Sequence, residues 1–562
     1  MVRQIIRTLA SPVRGLHEAA YVLAAFALLS QVLALVRDRL LAGTFGAHET
    51  LDLYYAAFRI PDFLFATVAS LLSLYALMPV LSRLEAEHPG RMIGFLRQML
   101  LVFFVSMAVV GAICFALAPE IIRLIAPGYA SDPAAAAQLI MLTRILLLQP
   151  IFLGASNILA NLTQMRHRFV LYSISPLLYN LGIIAGVVFL YPAFGIKGLG
   201  WGVVLGAVMH FLIQVPYFAR EPAPERIPWS ESMRHLREVL VLSIPRTFAL
   251  ASTQISLLAL TALASYLAAG SIAVFMFAYN LQAVPIAIIG VSYSLAAFPT
   301  LARLHAQGKS SELARHVETA LRHLLFWSIP ATVLAIVLRA QLVRVILGAG
   351  AFDWSATRLT AAALALFVIS LAAQNVTLLI ARTYYAAGNS RKPLYYGLVD
   401  IVVSIGSAVG LVALFHSSPA LRLFIESLLR VDSVAGSTVL MLALGYALGS
   451  IGEAVVGYAF FIRDFGIETV RVRRVAFTSF CASVIGGAGA YAALELLGVY
   501  FPYSTTPGVF THGLIAGVAG IGITAAMLAL LGSEELSEAY ASLQKRLRPS
   551  AAIALEPTDI ES

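Results

Sequence analysis

The chain has 562 residues, 60% of them hydrophobic and only 12% charged, with a mean hydropathy of +0.86 and a formal net charge of +9. A soluble protein of this length cannot hide so much apolar surface, so a soluble enzyme or soluble binding module is excluded. The positive balance needs no nucleic acid, because cytoplasmic loops beside anionic lipid carry the same excess.

Met1–His17, with Arg3, Arg7 and Arg14, reads as an amphipathic cytoplasmic lead-in. The apolar stretch after it is long and lacks a clean small-residue cleavage site, unlike a signal peptide. From there the sequence predicts about fourteen transmembrane helices: 18–43, 55–82, 95–118, 137–162, 169–191, 198–219, 237–267, 271–300, 318–339, 357–386, 393–415, 434–462, 474–498 and 509–532. Each approaches or reaches the ~20 mainly apolar residues that cross a bilayer. Between them, Glu221–Arg237 reads as a polar linker and Gly308–Arg322 as an amphipathic cytoplasmic helix. Ser418–Arg430 reads as an amphipathic outer segment, Ser533–Arg548 as a surface helix and Pro549–Ser562 as a disordered end. Cys114 and Cys481 fall inside spans without metal-ligand spacing and read as packing residues.

Loop charge sets an orientation. With both termini cytoplasmic, most of the 38 lysines and arginines lie inside, and the outer loops keep only Arg123, Lys197, Arg339, Arg344, Arg358, Arg422 and Arg430. An internal repeat is also visible. MPVLSRLEAE (Met78–Glu87) and FPTLARLHAQ (Phe298–Gln307) agree at five of ten positions, 220 residues apart. IIRLIAPGYA (Ile121–Ala130) and LVRVILGAGA (Leu342–Ala351) follow at nearly the same offset, and the turn at Gln164–Phe169 echoes Gly388–Pro393. Six spans separate the copies, and an even number makes the repeats parallel. The predicted architecture is therefore an all-α polytopic membrane protein of two six-helix lobes, 1–220 and 221–465. Two additional spans (466–532) and a cytoplasmic tail (533–562) follow.

The chemistry that is missing narrows the function. No GxxxxGK[ST], HExxH, CxxC or GxSxG motif occurs, and no metal site is expected from the scattered histidines. GxxxG pairs at Gly182–Gly186, Gly202–Gly206 and Gly513–Gly517 suit close helix packing. Energy for transport must then come from an ion gradient, the membrane potential or the cargo's own downhill flow. Residues 37–64, RDRLLAGTFGAHETLDLYYAAFRIPDFL, are by contrast dense in charge: Arg37, Asp38, Arg39, Asp52, Arg59 and Asp62. Ionisable groups in hydrocarbon face a bundle interior or a watery cavity, so this stretch points to a polar chamber for an anionic or zwitterionic cargo.

The stretch Ser30–Leu64, SQVLALVRDRLLAGTFGAHETLDLYYAAFRIPDFL, resembles the MurJ/MviN lipid II flippase family of the multidrug/oligosaccharidyl-lipid/polysaccharide exporter superfamily. PGYA (Pro127–Ala130), Ser252–Ile272 and the FPTLARL end of span eight carry the same resemblance. It implies a flippase, not an enzyme, that moves lipid II outward across the bacterial inner membrane by alternating access, with cell-wall synthesis proteins as partners. A diphosphate cannot cross hydrocarbon bare, and guanidinium groups hold its oxygens bidentately.

Arg37 is the first candidate for that contact, its alternative being an ion pair with Asp38, Asp52 or Asp62. Arg59 is the next, and Arg246, beside Pro245, is expected to face Arg37 across the lobe interface. Arg144 either lines the cavity or snorkels outward. The family carries arginines at positions matching Gln31, Phe65 and Asn280, all uncharged here, and an acidic one near the third, where this chain has Ala283. No cofactor is expected, but Asp400, with Ser404 one turn on and Asn375 nearby, is a candidate for Na⁺ or proton coupling. Glu453 follows on the same logic. The alternative for Asp400 is pairing with Lys392 or Arg382. Three further readings stay open: another polyprenyl-diphosphate glycan as cargo, a drug or cation antiporter of the same fold, and a membrane scaffold that transports nothing.

Overall fold

The computed structural model describes residues 16–547 apart from 70, 72–73, 88, 222–224, 226, 433 and 499–504. Among the described residues every regular element is a helix. Eleven of the described helices are long and apolar enough to cross a membrane, or twelve spans when Trp354–Val368 and Leu371–Ala386, bent by 45°, form one. These match, in order, the last twelve of the fourteen expected spans.

The first two expected spans are not among these; both carry the charged stretch, and both include positions whose side chains lie outside the described residues. One is the 30-residue helix Leu16–Phe45, with Arg37, Asp38 and Arg39 in its second half. The other includes Glu49–Ala57, Arg59–Leu64, a π-helical turn at Phe65–Ala69 and Leu74–Glu87. Twelve of the fourteen expected spans are thus supported by length and apolarity, and the exact count of fourteen is not confirmed. Other expectations shift at their edges. Gly308–Arg322 is the first part of one helix, Ser310–Val337, and the linker ends where the 36-residue helix Trp229–Ala264 begins. The tail helix Glu534–Leu547 is present, while Met1–Gly15 and Arg548–Ser562 lie outside the described residues.

The repeat is reproduced element by element. Helices Pro89–Ala116 and Ser310–Val337 each have 28 residues and begin at 89 and 310. The π-turns at Phe65–Ala69 and Ile286–Val291 are offset in the same way. Asp132 caps Pro133–Leu146 by accepting from Ala134 and Ala135, and Asp353 caps Trp354–Val368 by accepting from Ala356. Each of those helices is followed, after a short break, by a second half, Gln149–Met165 or Leu371–Ala386. Breaks of this kind leave backbone polar groups at membrane depth, which is tolerated where protein or a cavity surrounds them.

The glycine pairs work as packing seams. A Cβ on Gly182 would lie 2.2 Å from Gly206 Cα, and one on Gly186 2.7 Å from Gly202 Cα. Phe169–Ala185 and Ile196–Leu212 thus meet backbone to backbone within one bundle. The final pair, Thr469–Leu497 and Thr506–Leu530, pack on each other and against the second repeat, and Arg322 clasps Glu534 and Glu535 of the tail helix at 2.9 and 2.5 Å.

Candidate functional site

The charged stretch builds a polar centre where the two repeats meet. Arg37 Nε donates to Asp38 Oδ1 at 2.9 Å, its Nη2 lies 2.8 Å from the same oxygen, and its Nη1 donates to Asn180 Oδ1 at 3.0 Å. Asn280 Nδ2, from the second repeat, donates to Asp38 Oδ2 at 3.2 Å. Asp38 is almost fully buried, whereas the Arg37 side chain keeps 19% of its surface. The ion-pair alternative for Arg37 is thus realised with Asp38. It does not consume the guanidinium, whose five N–H donors exceed the three directed at Asp38 and Asn180. Asn280 thus supplies Asp38 with a neutral donor from the second repeat.

Asp52 lies elsewhere. Fully buried, it accepts from the backbone N–H of Gly270 (2.6 Å) and Ala273 (2.7 Å) and from the Tyr129 hydroxyl (2.8 Å). It therefore caps the helix Ser271–Pro285 from the opposite repeat, with the charge at the positive end of that helix. Gly270 is required twice: its φ is +89°, and a Cβ would lie 2.0 Å from Ala47 O. The PGYA segment completes the joint, since Gly128 N–H donates to Ser265 Oγ at 3.0 Å and a Cβ there would collide with the Ser265 carbonyl. Arg39 adds to it by donating to the carbonyls of Val345 (2.5 Å) and Ile346 (3.2 Å), beside a backbone bond from Ala351 N–H to Gly43 O at 2.8 Å. Asp52 is a joint between the repeats and does not line a chamber.

Arg59 is buried, donates to Tyr55 O at 3.4 Å and lies 3.8 Å from Asp62 Oδ2. Asp62 also accepts from Gln149 Nε2 at 3.5 Å. These long contacts leave both groups less committed than Asp52. Arg144 does not line a cavity: its Nε donates to Phe115 O at 3.1 Å and its guanidinium lies over the Phe115 ring, 4.6 Å from the centroid. That is the snorkelling alternative. Arg246 falls within the helix Trp229–Ala264, and its side chain lies outside the described residues.

A second polar centre is contained in the second repeat. A cavity of about 700 Å³ is lined by Tyr279, Gln282, Gln374, Arg382, Tyr396, Tyr446 and Ser450, with the carboxylates of Asp400 and Glu453. Asp400 accepts from Ser256 Oγ at 2.7 Å and from Ser404 Oγ at 3.1 Å. Gly449 makes this geometry possible, since a Cβ there would lie 1.8 Å from Ser404 Oγ and 2.9 Å from Asp400 Oδ1. Lys392 is engaged by Asp464 at 3.2 Å rather than by Asp400. Asn375 does not join the set; its Nδ2 donates to Ser328 Oγ at 2.7 Å and its side chain packs against Gly290. Asn180, Ser256, Tyr129 and Gly270 escaped the sequence reading. Tyr129 and Ser256 lie inside the PGYA and Ser252–Ile272 segments, which were recognised as motifs without an assigned role.

A family model described as lipid II flippase MurJ matches residues 41–511. The chain belongs to the lipid II flippase MurJ family. The lipid II flippase MurJ of Burkholderia cenocepacia is 27% identical over 398 residues, covering 69% of this chain and 77% of that protein. The probable lipid II flippase MurJ of Rhizobium meliloti is 25% identical over 547 residues, covering 93% and 96%. A solved lipid II flippase MurJ in an inward closed conformation shares the fold with a TM-score of 0.68 at 19% identity, over 91% of this chain and 99% of that one. An inward-facing multidrug resistance MATE family transporter follows at 0.63 and 15%, over 82% and 99%. The matched segment of the family model takes in both polar centres but for Arg37 and Asp38, which immediately precede it.

Proposed function

We propose that this chain flips lipid II, the undecaprenyl-diphosphate-linked peptidoglycan precursor, from the inner to the outer leaflet of the bacterial inner membrane. Membership of the MurJ family carries the reading, and the Arg37 centre at the meeting of the repeats supplies its chemistry. A guanidinium that is oriented by Asp38 and Asn180, yet keeps unused donors, suits a diphosphate oxygen. Residues 1–220 and 221–465 act as the two moving lobes, both termini face the cytoplasm, and the helices of 466–532 accompany the lipid tail along the outside of the bundle. The work is translocation rather than bond chemistry, and the expected partners are the proteins that make and consume lipid II.

Asp400 is the proposed coupling group. A carboxylate with hydroxyl oxygens from Ser256 and Ser404 suits Na⁺, a hard cation, or a proton taken up in its place. Glu453 is the second carboxylate of that cavity. The test is complementation in a bacterium depleted of its own lipid II flippase. Rescue by the wild type, and none by Arg37→Ala at equal membrane levels, is the expected result. Absence of rescue by correctly inserted wild-type protein removes lipid II as the cargo.

A further inference from the structure

The second-repeat cavity holds more room than a coupling ion needs. Its volume of about 700 Å³ lies in the range that organic ligands fill, ~300–1,000 Å³. Of its two carboxylates, Asp400 is already engaged by the hydroxyls of Ser256 and Ser404. Glu453 is not; among the described residues it makes no hydrogen bond and no salt bridge. An ionisable group at membrane depth without a partner is costly, and such groups mark where a substrate or ion passes.

The rest of the wall narrows the kind of cation. Tyr279, Tyr396 and Tyr446 contribute aromatic rings, those of Tyr279 and Tyr446 edge to face with centroids 5.7 Å apart. Ring faces of this kind attract organic ammonium groups. Gln282 and Tyr396 are 1% and 2% exposed, and neither the Gln282 Nε2 nor the Tyr396 hydroxyl has a hydrogen-bond partner among the described residues. A bare cation leaves a donor such as the Gln282 amide unanswered, whereas a peptide brings carbonyl oxygens to it. Arg382 stands on the same wall, where it can face a carboxylate of the same ligand. A primary ammonium, amide carbonyls and a carboxylate together describe a short peptide.

This cavity adjoins the Arg37 centre through one helix, Ser271–Pro285: Tyr279 and Gln282 line the cavity, while Asn280 between them donates to Asp38. Resting on the lipid II reading, we infer that the cavity receives the stem peptide of the cargo. Glu453 holds the stem's primary ammonium among the three tyrosines while Arg37 holds the diphosphate. That amine is the group through which peptidoglycan strands are later cross-linked. A five-residue stem extends up to ~17 Å, and a helix with its side chains is ~10–12 Å across, so one molecule can reach both sides of it.

The test uses the purified full-length chain in mild detergent, titrated with lipid II, with lipid II acetylated at the stem amine, and with undecaprenyl diphosphate bearing the disaccharide but no peptide. Lipid II is expected to bind about tenfold tighter than its acetylated form, the worth of one charge-assisted hydrogen bond. Glu453→Gln should erase that difference, Glu453→Asp should keep part of it, and Arg37→Ala should weaken all three lipids alike. Equal binding of lipid II and its acetylated form by the wild type would overturn the inference and leave the lipid II reading standing; no binding of any of the three would overturn both. Glu453-dependent binding of tetraethylammonium that lipid II does not displace would assign the cavity to free organic cations and overturn its assignment to the cargo.

Discussion

The two repeats are held together at both ends of the bundle, but by different chemistry. At one end Asp52 is buried, accepts three hydrogen bonds and caps a helix of the other repeat, while Arg39 donates to two carbonyls across the junction. At the other, Arg83 reaches Glu238 at 2.8 Å with both side chains well exposed. A buried carboxylate satisfied by fixed backbone donors is costly to disturb, because losing a partner strands a desolvated group. An exposed ion pair is screened by salt and costs side-chain entropy to hold. The contrast teaches that the Asp52 contacts are individually costlier to break than the Arg83–Glu238 pair, so disturbing them should matter more.

The largest effect is expected from Asp52→Asn. The amide keeps the shape but sets an N–H₂ or a weaker acceptor against the donors of Gly270 and Ala273, at about 2–4 kcal/mol. It should show as a lower thermal midpoint and faster labelling of an introduced Ser265→Cys by a membrane-impermeant maleimide. Gly270→Ala comes next, since it meets both a positive φ and the Ala47 carbonyl; it should speed the same labelling without altering any charge. Arg39→Gln should cost about 1.5 kcal/mol through its lost charge-assisted bonds to Val345 and Ile346. An unchanged labelling rate in all three variants would contradict the high cost of breaking these contacts.

Arg83→Gln is expected to have the smallest effect, visible as increased labelling of a cysteine beside Glu238 at low salt and absent at high salt. The Arg83 hydrogen bond holds the Glu238 carboxyl below its ordinary value. A depressed acid contributes above its unfolded pKa and loses that contribution as pH falls through the folded one. The pair should therefore loosen only in acid, below the ordinary value of 4.5, and be constant at neutral pH.

Much of this molecule was legible in the sequence because bilayers impose simple rules. The apolar runs placed twelve spans, and the matched segments at Met78 and Phe298 announced a repeat that the helix bounds, the π-turns and the Asp132 and Asp353 caps then followed. Site assignment from charge alone was less successful. Asp52 and Asp38 are both intramembrane aspartates in one stretch, yet one caps a distant helix and the other orients Arg37, and only tertiary neighbours separate those roles. Arg144 was placed by depth and Asn375 by expected nearness to Asp400, and neither ground says which face of a helix a side chain occupies. Asp400 and Ser404, one helical turn apart, were legible because spacing alone puts them on one face.

The central claim is that Arg37, held by Asp38 and Asn180 at the meeting of the repeats, engages the diphosphate of lipid II during translocation. The most direct measurement is the transfer of fluorescent lipid II between leaflets of vesicles containing the purified chain, followed by an impermeant quencher. The wild type should expose inner-leaflet lipid II, Arg37→Lys should do so more slowly, and Arg37→Ala not above protein-free vesicles. Transfer by Arg37→Ala at the wild-type rate would contradict the account.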